Sequence, residues 1–270
     1  LFERQQRGEL VYLTSSLLRQ PGLYHCFSTR LGGVSTGEKA TLNLGLRDDS
    51  RENVLENYRI LGDAVGFAPE SVVFTRQVHT DVVRAVTAAE RGIGLFRPTD
   101  CDCDALMTNE PGVTLAAFSA DCCTMLLHCP VSGAIAAVHS GWRGTALGIV
   151  KKTVEAMAAA YGADPAQMTA AIGPCISDCC FETDGDVPEA MIAALGDLAA
   201  PAIRQTGAKY HVDLKALNRT WLHLAGLSDG QIDTCPLCTT CDETLFFSHR
   251  RSGTARGSLA ALIGKTGGAS

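Results

Sequence analysis

No stretch of this chain approaches the roughly 18 to 20 uninterrupted apolar residues of a membrane span, so no membrane partner is expected. The opening residues, Leu1-Phe2-Glu3-Arg4-Gln5, lack the charged-then-apolar order of a secretory signal, although Leu1 leaves room for a trimmed start, and the sequence reads as cytoplasmic. There is no dense Lys/Arg cluster either. With 23 basic against 29 acidic residues the net charge is −6, so the electrostatic footprint that phosphate-backbone binding requires is missing and nucleic acid is not an expected partner. No internal repeat or low-complexity tract interrupts the chain.

What is present is the composition of a globular protein with a sizeable core: 270 residues, 46% hydrophobic and 19% charged, read as one domain over 1–270. Helical spacing is clearest in three places. Val54, Tyr58, Leu61 and Val65 follow the N-cap pair Asp49-Ser50. Leu147, Val150, Val154, Met157 and Tyr161 follow Gly141-Trp142-Arg143-Gly144, and Leu214, Leu217, Trp221 and Leu224 follow Asp213, with Gly226 as the stop. Short β-like runs lie between them: Ser71–Phe74, Val82–Val86, Asp104–Thr108, Val113–Ser119, Thr124–Cys129, Ala134–His139 and Met168–Ile172. Mixed without a long linker, these segments predict a single α/β domain with a mixed sheet covered by helices, ending in a frayed tail over Lys265–Ser270.

Twelve cysteines invite a disulfide framework, but the missing export signal argues for thiols that pack, ligate or react. Cys235, Cys238 and Cys241 form C-x2-C-x2-C, which suggests a metal cluster lacking a fourth ligand, with Cys101 or Cys103 available only if folding brings them close. Cys179-Cys180 read as packed thiols.

Three polar residues close apolar runs: His79 in Gln77-Val78-His79, Cys122 in Ala120-Asp121-Cys122, and His139 after Ala134–Val138. They are either unrelated boundary residues or a ligand set. Two imidazoles and a thiolate suit Zn²⁺ and leave the fourth coordination position open, which is the arithmetic of a catalytic site.

The sequence carries more than these three. In one order it shows His25-Cys26-Phe27-Ser28-Thr29-Arg30-Leu31-Gly32-Gly33-Val34-Ser35, Leu42-Asn43-Leu44-Gly45, Gln77-Val78-His79 and Ala120-Asp121-Cys122. Val138-His139-Ser140-Gly141-Trp142-Arg143-Gly144, Ile172-Gly173-Pro174-Cys175-Ile176 and Phe246-Phe247-Ser248-His249-Arg250-Arg251 follow. Together these resemble the YfiH-type laccase-domain, or polyphenol oxidase, family from about His25 to Ile263. The resemblance implies an α/β sandwich with mixed sheets and makes His79, Cys122 and His139 the metal-binding and catalytic trio. It also implies purine nucleosides and inorganic phosphate as partners. The activities would be phosphorolysis of adenosine, inosine, guanosine or methylthioadenosine and deamination of adenosine to inosine. Thr124, His249 and Ala255 depart from the family pattern, where proline, tyrosine and glycine are common, and His249 bears on substrate detail.

Around the trio, the Gly141–Gly144 turn opens the helix toward Tyr161, so its free N–H groups and Arg143 would face the same mouth and could hold phosphate, with Trp142 as a core plug. Arg30 beside Gly32-Gly33 is a second candidate for phosphate or ribose oxygens, unless the glycines only make a turn. Asn43, by resemblance, lines the same pocket. Copper is also possible, since His2Cys is a blue-copper ligand set, yet seven histidines without a His-x-His pair do not build an oxygen-reducing copper cluster. Two further readings stand beside these: a metal-free hydrolase with Cys122 activated by His139, and a non-catalytic binding protein.

Overall fold

Runs such as Cys123–Cys129 and Ala134–Ser140 have no polar face, and both are buried along their whole length. A strand of that kind must be covered on both sides. The computed structural model, which describes residues 1–267, shows what covers them.

In chain order the strands are β1 (Phe2–Arg7), β2 (Leu10–Ser15), β3 (Leu23–Ser28), β4 (Val72–Val73), β5 (Val83–Ala85), β6 (Ala105–Thr108), β7 (Thr114–Ser119) and β8 (Cys123–Cys129). They continue with β9 (Ala134–Ser140), β10 (Thr169–Ile172), β11 (Glu182–Thr183), β12 (Ile203–Thr206), β13 (Lys209–Val212), β14 (Ile232–Thr234) and β15 (Leu259–Lys265). The helices are α1 (Arg51–Val65), α2 (Trp142–Ala146), α3 (Ile149–Tyr161), α4 (Asp186–Leu195), α5 (Leu214–Leu224) and α6 (His249–Ser252). There are two six-stranded sheets, ordered β1-β2-β3-β15-β7-β4 and β14-β10-β8-β9-β6-β5, and a separate small β11-β13-β12 sheet. Both large sheets are mixed, with parallel pairs β4/β7, β10/β14 and β5/β6 among antiparallel ones.

The two-residue period of the strands sorts side chains between layers. Phe27, Leu115, Ala117 and Ala261 of the first sheet meet Leu106, Leu126, Ile135 and Ala137 of the second in one core. The opposite face of the second sheet, through Met125, Leu127, Ala136 and Val138, packs on Val150, Val154 and Met157 of α3. The outer face of the first packs on Val54, Tyr58 and Leu61 of α1. The result is the expected α/β sandwich, with four layers in the order helix, sheet, sheet, helix. Among the described residues no helix is long and apolar enough to cross a membrane.

Local signals account for the helix ends. Ser50 caps α1 by accepting from the Asn53 N–H, and Asp213 caps α5 by accepting from that of Ala216. Two expectations need correction. The helix toward Tyr161 does not begin at Leu147: Gly148, at φ +69°, breaks the chain between α2 and α3, and Leu147 is exposed. Lys265 is no frayed tail residue either, because it closes β15 and its Nζ donates to the carbonyls of Asn109 and Gly133 at 2.6 Å each. The end of that expected tail, 268–270, lies outside the described residues.

Candidate metal centre and cleft

β7 belongs to the first sheet and β8 to the second, so the turn between them carries the chain across the sandwich and sets Cys122 at its rim. His139 sits near the end of β9, paired across the ladder with Thr124 of β8. His79 comes from the loop between β4 and β5. The ligand atoms of the three lie within 4.8 Å of one another, and the imidazole rings meet edge to face with centroids 4.9 Å apart. The trio can therefore hold one metal ion.

Asp104, fully buried just before β6, organises two of the three. Its carboxylate accepts from the backbone N–H groups of Val78, His79 and Thr80 at 3.1, 3.0 and 2.9 Å. It also lies 2.7 Å from His139 Nδ1, which leaves Nε2 as the ligand nitrogen. Those backbone bonds hold His79 at φ +64°, a conformation that costs a non-glycine residue on the order of 1–3 kcal/mol.

Asp121 does the equivalent for Cys122. At φ +102°, it accepts from Thr239 Oγ1 at 2.6 Å, Ser248 Oγ at 3.0 Å and the Arg250 N–H at 2.6 Å. Gly141 completes the packing, since a Cβ there would come within 2.5 Å of His79 Nδ1 and 3.2 Å of Cys122 Sγ.

Burial raises the Asp104 carboxyl, but the His139 imidazole and the backbone donors outweigh it and hold the pKa down at about 2. For His139, burial acts against the charged form, yet the Cys122 sulfur and the Asp104 carboxylate prevail and push the pKa up to about 9. Partial burial, the His139 charge and Arg143 lower the pKa of His79.

A pH dependence follows for the metal-free protein. Because the folded pKa of His139 is raised above the ordinary 6.5, its proton stabilises the fold fully below about pH 6.5, and that contribution is lost as pH rises through about 9. A cation binding Nε2 must displace the same proton. The melting temperature should therefore fall from pH 6.5 to 9 while zinc affinity climbs, and His139→Asn should flatten the melting profile. Calorimetry with zinc titration at each pH checks this; a zinc affinity independent of pH would overturn it.

The trio opens onto a cleft of 410 Å³ that has Phe118, Trp142 and Phe181 among its walls, with His249, Arg256 and Ser258 along the rim. Arg256 is half-buried. Its Nη1 donates to the Gly257 carbonyl at 3.1 Å, while its Nε is buried without a protein partner.

The structure redistributes the other expected residues. Trp142 is half-buried, packing as expected against a core cluster while also forming a cleft wall, and Arg143 is exposed, its guanidinium stacked 4.2 Å from the Trp142 ring centroid. Arg30 faces a neighbouring depression with Arg251 and Phe247, its guanidinium committed to the carbonyls of Ala40 and Glu243. Asn43 is buried, with its Oδ1 accepting from the Gly45 and Ser258 N–H groups, so it supports the rim instead of lining the cleft. Gly33 is required by packing, because a Cβ would strike Asn57 and Thr41.

Sequence reasoning missed Asp104, Asp121 and Arg256 as functional residues. Asp121 stands in a recognised motif, but the partners that give the two aspartates their roles are distant in sequence.

Cys101 and Cys103 lie beside each other, 3.6 Å apart at sulfur, away from the C-x2-C-x2-C segment, and Cys235 is buried in the core between the sheets. All twelve thiols are free, and seven are buried. Of the pair expected to pack, Cys180 is partly buried against a core cluster, whereas Cys179 is exposed, and both adjoin Cys241.

Comparison with known proteins agrees with this architecture. A family model described as multi-copper polyphenol oxidoreductase laccase matches residues 24–266. The purine nucleoside phosphorylase YlmD of Geobacillus stearothermophilus is 35% identical over 269 residues, covering 98% of this chain and 97% of that protein. A purine nucleoside phosphorylase of Deinococcus radiodurans is 39% identical over 251 residues, or 92% of each chain. The crystal structure of YlmD from Geobacillus stearothermophilus superposes with a TM-score of 0.92 at 34% identity, covering 98% of this chain and 99% of that one.

Proposed function

Since the chain belongs to the multi-copper polyphenol oxidoreductase laccase family, with relatives named purine nucleoside phosphorylase, we propose that it is a zinc-dependent purine nucleoside phosphorylase that also deaminates adenosine. The observation that carries this reading is the meeting, at one cleft, of a His2Cys donor set, aromatic walls and an arginine with an unpartnered buried Nε. Phe118, Trp142 and Phe181 offer flat apolar surfaces that suit a purine ring. Arg256 lies in the cleft lining, and its guanidinium, with an Nε that has no protein partner, suits inorganic phosphate once the side chain turns into the cleft.

When bound at the trio, zinc would supply Lewis acidity and bring the acidity of water toward neutrality. The chain's own residues orient the reactants. Asp104 fixes the His139 ring, Gly141 leaves room for His79 and Cys122, and Arg256 holds phosphate so that its oxygen attacks ribose C1′ while the purine departs. In deamination, water replaces the amine at C6 of adenosine, giving inosine and ammonia. The substrates are adenosine, inosine, guanosine and methylthioadenosine.

The test is chromatography of these nucleosides after incubation with zinc-loaded protein, with and without phosphate. Free base is expected only with phosphate, and inosine from adenosine in either case. Oxygen uptake with phenols while every nucleoside stays intact would establish copper oxidase chemistry instead. Asp104 on His139, with the Cys122 sulfur nearby, is also the geometry of a nucleophile, base and orienting carboxylate. Activity that survives complete chelation would favour that metal-free reading.

A further inference from the structure

Away from the cleft, Cys179, Cys180, Cys238 and Cys241 bring four sulfurs within 4.8 Å of one another. Cys180 and Cys241 are 3.3 Å apart at sulfur, Cys179 and Cys241 3.5 Å, and Cys179 and Cys180 3.7 Å. A tetrahedral zinc with Zn–S bonds of about 2.3 Å sets its four sulfurs about 3.8 Å apart along every edge. The three edges among Cys179, Cys180 and Cys241 already stand close to that spacing, and Cys238 Sγ lies within 4.8 Å of each of those sulfurs.

We propose that Cys179, Cys180, Cys238 and Cys241 form a structural zinc site, separate from the His79, Cys122 and His139 trio. Half of it is the C-x2-C end of the Cys235-Pro236-Leu237-Cys238-Thr239-Thr240-Cys241 segment; the other half is the Cys179-Cys180 pair on the loop before β11. A backbone donor supports the arrangement. The Ser177 N–H donates to Cys238 Sγ at 3.4 Å. Such a bond stabilises a ligating thiolate.

Charge is compensated as well. Zinc with four thiolates carries a net charge of −2, and two cations stand beside the loops. The buried Lys215 Nζ donates to Ser177 Oγ at 2.9 Å and to the Leu237 carbonyl at 2.7 Å, and Arg250 donates to the Cys180 carbonyl at 3.1 Å. A disulfide would engage only two of the sulfurs, and it gives no reason for four to converge.

The site ties the 178–181 loop to the 238–242 loop. The second of these supplies Thr239, whose hydroxyl holds Asp121 beside Cys122. Zinc at the four thiols therefore braces the trio from outside.

The full chain, expressed with zinc and purified under reducing conditions, tests this by elemental analysis, X-ray absorption and thermal melting. Wild type should carry two zinc ions per chain, and His79→Ala/His139→Ala should keep one. The absorption edge of that variant should show only sulfur neighbours at about 2.3 Å. Cys179→Ser/Cys241→Ser should also keep one, at the trio, and should melt at lower temperature. If that variant does not fold, the His79→Ala/His139→Ala protein still decides, because its four thiols are intact. Absence of zinc from it, or a disulfide within the group in reduced protein, would overturn the proposal.

Discussion

Replacement of His139 by alanine is expected to lower nucleoside phosphorolysis by about a hundred- to ten-thousand-fold, the range in which loss of a positioned catalytic group falls. Of the trio's side chains it is the most constrained: buried in β9, with its Nδ1 held 2.7 Å from Asp104. Removing it leaves two ligands, too few for a tight zinc site. The zinc content should drop by one equivalent while circular dichroism stays unchanged, because the Asp104 carboxylate keeps its three backbone donors. Cys122→Ser should act in the same direction with almost no change in volume, since a hydroxyl is a poor zinc ligand. Asp104→Asn should weaken zinc binding by about ten- to hundred-fold, as is usual when a metal-bound histidine loses its orienting carboxylate. An unchanged zinc content in His139→Ala would remove the trio as the metal site and the proposed chemistry with it.

Substitution of Arg256 by alanine should cost about ten- to hundred-fold in phosphorolysis, expressed mainly as a higher KM for phosphate, the scale of one charge-assisted hydrogen bond of about 1.5–3 kcal/mol. Deamination, which consumes no phosphate, should change far less. The fold should tolerate the change, because the hydrogen bonds lost are only those of Nη1 to the neighbouring Gly257 carbonyl and Ser258 Oγ. Arg143→Ala should have the smaller effect, since that side chain is exposed and stacked on Trp142. If Arg143 proves the more damaging of the two, the anion sits at the start of α2 and the assignment of Arg256 is wrong. Steady-state kinetics with phosphate as the varied substrate decides between them.

The uneven legibility of this molecule has a physical basis. Strands buried on both faces must be apolar throughout, so β6 to β10 stand out in the sequence within a residue or two of their bounds. The edge strand β1, Phe-Glu-Arg-Gln-Gln-Arg, has one partner and mostly solvent-facing side chains, and it carries no such signal. The trio is recognisable because each member sits in a short ordered motif. Its supports are not, because the role of Asp104 depends on donors 24 to 26 residues away, and that of Asp121 on donors 118 to 129 residues away. Likewise the C-x2-C-x2-C spacing points to a metal but misassigns its ligands. Cys235 follows β14 into the core, and the missing two thiols arrive on a loop some 60 residues earlier.

The position of β15 has a consequence for how the protein is made. It lies between β3 and β7, so the middle of the first sheet is filled by a strand synthesised more than 130 residues after its neighbours. Until it emerges from the ribosome, β3 and β7 expose unpaired edges and an apolar face, features that slow folding and invite aggregation. Arg256 and Ser258, which immediately precede β15, reach the cleft only when that strand docks. A nascent chain stalled before Leu259 can therefore hold all three residues of the trio and still lack a finished cleft.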